Sequence, residues 1–211
     1  MVVRKCPGAV FAVFLLLCAV SCITVNVPIG GNDGTPVTRW YLSWSRPDPS
    51  GPFLGGVLRV KEFGASSDYS LTAMTLKYAE GTLSEASEDR WATRIPLMLS
   101  EMLACDFAAS GVFSSVFSYA ASSQDMLLVE GFVREFGATR NPDGVWTAIL
   151  DVDVILLGDR GNTLLFHKNY RLERVMGTVG IPEMVNQLNI LGEIWSETAR
   201  GDIVGALLPR R

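Results

Sequence analysis

Alternating apolar and polar positions are clearest in the C-terminal half of the chain. Residues 145–157 place apolar side chains at every second position, with a mixed set between them. The same pattern returns in residues 163–173, after a turn at 158–162 that contains glycine, aspartate and asparagine. A period of two is typical of a strand with one buried face, so the pattern predicts a long antiparallel hairpin that is covered on one side.

Shorter segments with a strand-like pattern precede this hairpin. They are residues 37–44, 57–63, 71–79, 112–119 and 126–136. Residues 81–86 are expected to pair with the third of these segments as a second hairpin. Trp40, Tyr41 and Trp44 belong to the first segment, and they are expected either to pack into the sheet or to contact lipid.

Two segments have helical spacing of their apolar residues. The first is expected to begin at residues 87–89, where a serine hydroxyl precedes two acidic residues, and to end at Gly111. Pro96 predicts either a kink in this helix or its true first turn, and Trp91 is expected on its buried stripe. The second helix begins near Pro182. Two helices and a mostly antiparallel sheet predict an α+β fold, arranged as a two-layer α/β sandwich.

An unbroken apolar run occupies residues 9–20 near the start of the chain. Arg4 and Lys5 precede it, and the small residues that follow complete the order typical of a secretory signal peptide. The run is shorter than the roughly 20 residues that cross a bilayer as a helix. The pattern therefore favours a cleaved leader over a short uncleaved anchor.

The sequence Ala-Val-Ser-Cys at residues 19–22 resembles the lipobox of bacterial lipoproteins, in which the cysteine is acylated and the chain is cut before it. This predicts a signal peptide at 1–21, a lipidated Cys22, a flexible tether at 22–36 and one α/β domain at 37–211. Two or three acyl chains such as palmitate hold a protein durably on a membrane. Ile23 stands where aspartate favours retention in the inner membrane, so we expect the outer membrane, facing the periplasm.

The four cysteines agree with this arrangement. Cleavage would remove Cys6 and Cys18, lipid would consume Cys22, and Cys105 would remain alone, so the mature chain is expected to have no internal disulfide. Cys105 lies within the first helical pattern, and we expect a buried thiol that acts as a small hydrophobe rather than as a nucleophile.

Composition limits the classes of function. The 211 residues suffice for one ordinary domain, and the net charge of -4 leaves no excess of Lys and Arg to neutralise phosphates. The acidic balance argues against nucleic-acid binding and against a polybasic membrane patch.

Catalytic residues are scarce in the sequence. His167 is the sole histidine and is expected to be a solvated strand residue rather than a general base. Asp151 and Asp153 share one face of a strand, which could serve a hard cation or an acid/base pair, although solvated outer-face residues are the favoured interpretation. One histidine and one spare cysteine are too few for a zinc site, and no phosphate-binding loop is present. The sequence therefore predicts no catalytic residue, metal site or cofactor.

The order of motifs along the domain resembles the ABC-type transport auxiliary lipoproteins, the PqiC-like family. The matching segments are residues 58–63, 76–78, 89–91 with Pro96, 110–116, 128–131 and 164–170. Together with the lipobox and residues 40–42, they cover most of the mature chain.

The resemblance implies a non-catalytic accessory of a lipid transport system. Such systems combine an inner-membrane ABC transporter with a cell-entry-type periplasmic component, and the lipoprotein would act at the far end of that conduit. It would work through surface contacts, and a homo-oligomer such as a ring of copies is left open. The alternative is an assembly or chaperone lipoprotein for an outer-membrane barrel or for lipopolysaccharide machinery. A hydrolase would depend on His167 or on Asp151 with Asp153.

Overall fold

The computed structural model describes residues 36–46, 48–49, 51–119 and 126–208. The leader at 1–21, Cys22 and the tether as far as residue 35 lie outside the described residues, so their predicted roles stay predictions. Within the described part of the chain, nine strands and two α-helices form an α+β fold, as the sequence pattern predicts.

The strands differ greatly in length. They are β1 (Thr38–Trp40), β2 (Val57–Val60), β3 (Gly64–Ala65), β4 (Ala73–Lys77), β5 (Leu83–Trp91), β6 (Ser115–Phe117), β7 (Met126–Arg140), β8 (Trp146–Gly158) and β9 (Thr163–Val175). The helices are α1 (Ile95–Ser110) and α2 (Ile181–Leu207). The three long strands β7, β8 and β9 follow one another and carry most of the sheet.

Strand β7 is the centre of the sheet. Along one side it pairs antiparallel with β8, and β8 pairs antiparallel with β9, which confirms the predicted C-terminal hairpin. Along its other side, the short strands β2, β3 and β4 join it one after another in parallel. Strand β4 also pairs antiparallel with β5, the second predicted hairpin. The sheet is therefore mixed, with its longest ladders antiparallel.

The core lies between the sheet and the two helices. Alternate residues of β8, among them Leu150, Val152 and Val154, are fully buried against the helical layer. Trp195 of α2 is also fully buried and meets the ring of Phe63 edge to face at 6.2 Å. This layered packing is the predicted two-layer sandwich, in which one face of the sheet is covered by helices.

The start of the first helix differs from the prediction. Residues 87–89 belong to strand β5, which continues to Trp91, and α1 begins only at Ile95. Pro96 lies in the first turn, where the missing N–H costs no helical hydrogen bond, so its role as the true first turn is confirmed. Gly111 ends the helix in the left-handed conformation, as expected, with φ of 68°.

Three other expectations need adjustment. Strand β1 ends at Trp40, so residues 41–44 are not part of the sheet. Trp91 is buried as expected, but at the end of a strand rather than on a helix. Cys105 is on α1 as expected, but it is only partly buried. None of the described helices combines the length and the apolar character that a bilayer crossing requires.

Candidate functional site: the outer face of the sheet

The sheet face that points away from α1 and α2 carries most of the polar residues singled out by the sequence. Register places Glu135 of β7, Asp151 of β8 and Arg171 of β9 side by side in one row across this outer face. The next row contains Asp153 beside Asn169. Side chains two residues apart on one strand point to the same face, so Asp151 and Asp153 share the outer face as predicted. The residues opposite them on β9 share that face too.

Arg171 is the centre of the charge network. Its Nη1 lies 2.9 Å from a carboxylate oxygen of Glu135 and 2.9 Å from one of Asp151, and its Nε donates to Glu173 at 2.8 Å. Asn169 donates to the other oxygen of Asp151 at 2.7 Å. Burial alone would lower the pKa of Arg171, but these carboxylate hydrogen bonds outweigh burial and raise it, so the guanidinium stays charged.

A β-bulge supplies the second cation. The register of β7 and β8 shifts between Val133 and Glu135, so Arg134 is the extra residue, and it reaches across to Asp153 with both Nε and Nη2. The hydrogen bond to Asp153 raises the pKa of Arg134. His167 Nε2 lies 3.9 Å from the other oxygen of Asp153, and its side chain is 56% exposed. His167 is therefore the solvated strand histidine that the sequence predicts.

This arrangement has consequences for the chemistry of the face. Asp151 and Asp153 are largely covered, with side chains 12% and 14% exposed, and not freely solvated as predicted. Their neighbours cover them: Asp151 meets Arg171 and Asn169, whereas Asp153 meets Arg134. The face is thus built of charge pairs that fix one another.

Tyr69 is buried close to the charge of Glu135. Burial, with smaller contributions from the charges of Glu135 and Asp68, raises the pKa of its phenol to about 12. The hydroxyl is therefore protonated throughout the physiological pH range. It is not a candidate general base, and the sequence pattern gave no reason to single it out.

One end of the outer face is apolar rather than charged. Leu164 lies there, opposite Leu157, and its side chain is 61% exposed, whereas Phe132, 42% exposed, lies opposite Asp153 among the charged rows. The pairing of β8 with β9 shifts next to Leu157, which leaves Leu165 as an unpaired bulge residue whose side chain lies against Gly158. The exposed apolar side chains of Phe132 and Leu164 are therefore separated by the row that contains Glu130, Ile155 and His167.

A second polar feature lies in the helical layer, and sequence reasoning missed it. Asp106 of α1 is buried and accepts hydrogen bonds from Ser196 of α2 and, at 3.0 Å, from the indole of Trp44. Glu193 of α2 accepts from the backbone and hydroxyl of Ser45. Residues 41–46 therefore form a strap across both helices, beside a cleft of about 210 Å³.

The strap determines where the aromatic side chains of residues 40–44 lie. Trp40 donates its indole N–H to Asp89 at 2.6 Å, and both Trp40 and Trp44 pack against the core. Tyr41 is the exception, with 69% of its side chain exposed. The two tryptophans therefore follow the expectation of packing, although Trp44 packs from the strap and not from the sheet.

A small apolar pocket of about 90 Å³ lies where β9 leads into α2. Its lining residues are Leu76, Trp146, Met176, Val179, Gly180 and Ile181. Among the described residues, no group of three or more His, Cys, Asp or Glu side chains is placed to hold a metal ion.

Comparisons with known proteins identify the fold. No family model matches the sequence, and no curated protein sequence is similar to it. The crystal structure of protein XCC0632 from Xanthomonas campestris, assigned to the family model DUF330, superposes with a TM-score of 0.70 at 16% identity. The match covers 80% of this chain and 96% of that one. The fold is shared.

A second crystal structure, of an uncharacterized protein, gives a TM-score of 0.64 at 16% identity, covering 79% of this chain and 98% of that one. Both solved chains are matched almost over their full length. At such low identity the likeness speaks for the fold alone, and it assigns no activity to the outer face.

Proposed function

We propose that this chain is an exported lipoprotein, acylated at Cys22, that serves as a non-catalytic accessory of an ABC-type lipid transport system. It stands at the outer membrane and faces the periplasm. Its partners are the inner-membrane ABC transporter and the cell-entry-type periplasmic component of that system. The observation that carries the proposal is the apolar run at 9–20, whose last two residues begin the lipobox-like sequence at 19–22.

The order of motifs in the folded domain supports this role. Segments from Leu58 to Tyr170 follow the order of the ABC-type transport auxiliary lipoproteins, and they fall on β2, β4, β5, α1, β7 and β9. The fold shared with XCC0632 covers 80% of this chain. A soluble domain with a lipid anchor can reach a partner in the periplasm while it stays at the membrane surface.

The outer face supports a contact role over a chemical one. Arg134 and Arg171 hold the carboxylates of Asp153 and Asp151, the pair that an acid/base mechanism would need. Fixed charge pairs beside exposed Phe132 give a surface with defined polar geometry and an apolar anchor. We place the contact with the periplasmic component on this face.

Mass spectrometry of the protein extracted from membranes tests the anchor. The proposal expects a chain that begins at Cys22 and carries diacylglycerol and a further acyl group. Cys22→Ser is expected to move the protein from the membrane fraction to the soluble periplasmic fraction, whereas Cys105→Ser leaves it at the membrane. An unmodified thiol at residue 22, or an intact leader, would overturn the membrane placement.

Photo-cross-linking tests the partner. A cross-linking side chain at Phe132 of the outer face is expected to capture the cell-entry-type component, and the same group at the exposed Glu197 of α2 serves as the matched control. Capture of an outer-membrane barrel or of lipopolysaccharide machinery would instead favour the assembly role. If position 132 captures neither class, or no more than position 197 does, the proposed contact is wrong.

A further inference from the structure

One row of side chains crosses the outer face near the turn between β8 and β9. Its members are register partners on five neighbouring strands, β6, β2, β7, β8 and β9. We call it the apolar row, and it consists of Phe117, Arg59, Leu128, Leu157 and Leu164. These side chains point away from the helices, because the adjacent residues Leu58, Val129 and Leu156 are fully buried in the core. Four of the five are apolar, which sets this row apart from the charge pairs around Arg171.

Arg59 is the polar member of the apolar row. Its neighbours across the sheet are Phe117 on one side and Leu128 on the other. The Nε–H of Arg59 is buried and has no hydrogen-bond partner among the described residues. Glu130, the next outer-face residue of β7, is held by Lys61 at 2.8 Å. A buried donor without an acceptor costs free energy, so Arg59 is suited to a ligand that brings an oxygen acceptor.

The apolar row lies in a shallow groove. The turn after β8 borders it on one side, where a Cβ atom on Gly161 would lie 3.9 Å from Leu128 and 4.0 Å from Leu157. The polar row that contains Glu130, 31% exposed, borders it on the other side. The two middle leucines are partly buried between these borders, whereas Leu164 at the β9 end is 61% exposed. The row is therefore open to contact along its length.

The length of the row matches one acyl chain. Neighbouring strands lie about 4.8 Å apart, so the three steps from Arg59 on β2 to Leu164 on β9 span about 14 Å. The hydrocarbon core of a bilayer is about 30 Å thick, so an acyl chain in one leaflet spans about 15 Å. A peptide strand would not add here, because the backbone groups of β7 and β8 beneath the row already pair with neighbouring strands.

The side chains around Arg59 fit a phosphodiester headgroup. Lys61 lies two residues further along the chain and is 54% exposed, so it brings a second positive charge to this end of the row. Together with Glu130, the two cations leave one net positive charge. Tyr119 is 65% exposed, and its ring meets that of Phe117 edge to face at 5.4 Å. Tyrosine is enriched where acyl chains meet headgroups, which suits this end to the polar part of a lipid.

We propose that the apolar row binds one phospholipid molecule, with its phosphodiester on Arg59 and one acyl chain along Leu128 and Leu157 to Leu164. Arginine donates paired N–H bonds to phosphate oxygens, and apolar neighbours strengthen such bonds by excluding water. This inference rests on the proposed transport role, for which it names a ligand of the accessory itself. It does not depend on the anchor at Cys22, because binding is measured in detergent micelles.

Photo-labelling of the purified full chain in detergent micelles tests the ligand. The probe is phosphatidylglycerol with a diazirine near the end of one acyl chain, and diacylglycerol with the same chain is the uncharged control. Peptide mass spectrometry is expected to find the phosphatidylglycerol label mainly at Leu157 and Leu164. Diacylglycerol should label at least about tenfold less, because it lacks the charge-assisted contact. Equal labelling by both lipids, or labelling spread evenly over the surface, would overturn the proposal.

Replacing Arg59 tests the headgroup end. Arg59→Gln removes the charge and is expected to lower phosphatidylglycerol labelling about tenfold, to the level of diacylglycerol, whose own labelling should not change. Arg39→Gln, which removes an exposed cation of β1, is the matched control and is expected to label like the wild-type chain. Circular dichroism checks that both variants fold. If Arg59→Gln labels as strongly as the wild-type chain, or Arg39→Gln loses as much, the headgroup site is wrong.

Replacing Leu164 tests the acyl end without touching Arg59. Leu164→Ser changes an exposed side chain, so the fold is expected to stay intact while labelling at Leu157 falls severalfold. Leu83→Ser, at a leucine of β5 that is 46% exposed, is the matched control and should leave labelling unchanged. Equal labelling in Leu164→Ser and Leu83→Ser would contradict the path of the acyl chain.

A protein segment is the competing occupant of the row. A photo-cross-linking side chain at position 164, introduced into the full chain in intact membranes, is expected to capture phospholipid that mass spectrometry identifies. Capture of a protein without any lipid would overturn the proposal. An unmodified thiol at Cys22 would refute the anchor alone, and labelling of the apolar row in micelles would still establish the lipid site.

Discussion

Replacing Arg171 tests whether the outer face is held by its charge network. Arg171→Met keeps a stem of similar length, so that packing along the sheet is retained, but it removes the guanidinium. Glu135 and Asp151 then lose the cation that lies 2.9 Å from each of them. Their side chains are only 14% and 12% exposed, so water replaces the lost partner poorly.

The magnitude follows from the exposure of the groups. Breaking a fully buried ion pair costs about 3–5 kcal/mol, whereas an exposed pair contributes about 0–1 kcal/mol. Arg171 is 43% exposed, and Asn169 still donates to Asp151, so solvent screening and the remaining bond reduce the loss. We expect Arg171→Met to lower the free energy of unfolding by about 2 kcal/mol.

Urea unfolding followed by circular dichroism measures this loss, provided that the slope with denaturant stays unchanged. Arg39→Met is the matched control, because Arg39 is exposed on the short strand β1, and it is expected to change stability by less than about 0.5 kcal/mol. Adding Asp151→Asn to Arg171→Met removes one of the unpaired charges and is expected to recover about 1 kcal/mol. A loss no larger than that of the control, or strictly additive effects in the double variant, would refute the reasoning.

Three further predictions concern the packing and the buried polar groups. Gly137→Ala places a Cβ atom 2.4 Å from the backbone oxygen of Thr75, so thermal unfolding should show a free energy of unfolding lower by more than about 2 kcal/mol. The Cβ atom of Gly205→Ala meets nothing within 4 Å, so this helix variant should raise the free energy of unfolding by up to about 1 kcal/mol. Equal effects of the two variants would contradict this prediction. Asp106→Ala leaves two buried donors without an acceptor and should cost about 2–3 kcal/mol in urea unfolding, against a smaller loss for Asp106→Asn, whose amide oxygen still accepts. Tyr69 has its pKa raised to about 12 by burial, above the value near 10 of the unfolded chain, so its contribution to stability is complete below pH 10 and is lost as the pH rises through 12; alkaline unfolding that is the same in Tyr69→Phe would exclude this.

The fold was predictable where side chains repeat with a clear period. Strand β8 follows alternation over its 13 residues and β9 follows it beyond the bulge at Leu165, and the structure places both within one or two residues of the predicted limits. Pro96 and Gly111 mark the ends of α1 because each acts locally, one through its missing N–H and the other through a left-handed backbone.

The wrong helix start shows where local signals fail. The serine and acidic residues at 87–89 have the composition of a helix cap, but they lie on a largely exposed strand whose pairing with β4 and β1 depends on distant residues. Asp89 accepts a hydrogen bond from Trp40, 49 positions away, which no local window contains. The parallel pairing of β2, β3 and β4 with β7 could not be predicted for the same reason. A strand of two to five residues has no sequence pattern that indicates which strand it pairs with.

The sequence predicted which aspartates share the outer face, but not which residues pair with them. Alternation places Asp151 and Asp153 on one side of a strand, but whether they are free carboxylates depends on which cations face them across the sheet. Arg171 arrives through the register of the β8–β9 hairpin, and Arg134 through a bulge of one residue in β7. Neither the register nor the bulge can be recognised from composition, because the sequence of a bulge residue does not differ from that of an ordinary strand residue.

These two arginines change what the face can do. An acid/base pair would require carboxylates that are open to a substrate, whereas each of these two carboxylates is in direct contact with an arginine. The same contacts fix the rotamers of the side chains, and fixed polar groups lose less conformational entropy when a partner protein binds. The outer face therefore presents polar groups in a fixed geometry. Phe132, which lies opposite Asp153 and is 42% exposed, adds to these charge pairs the apolar area that they cannot supply by themselves.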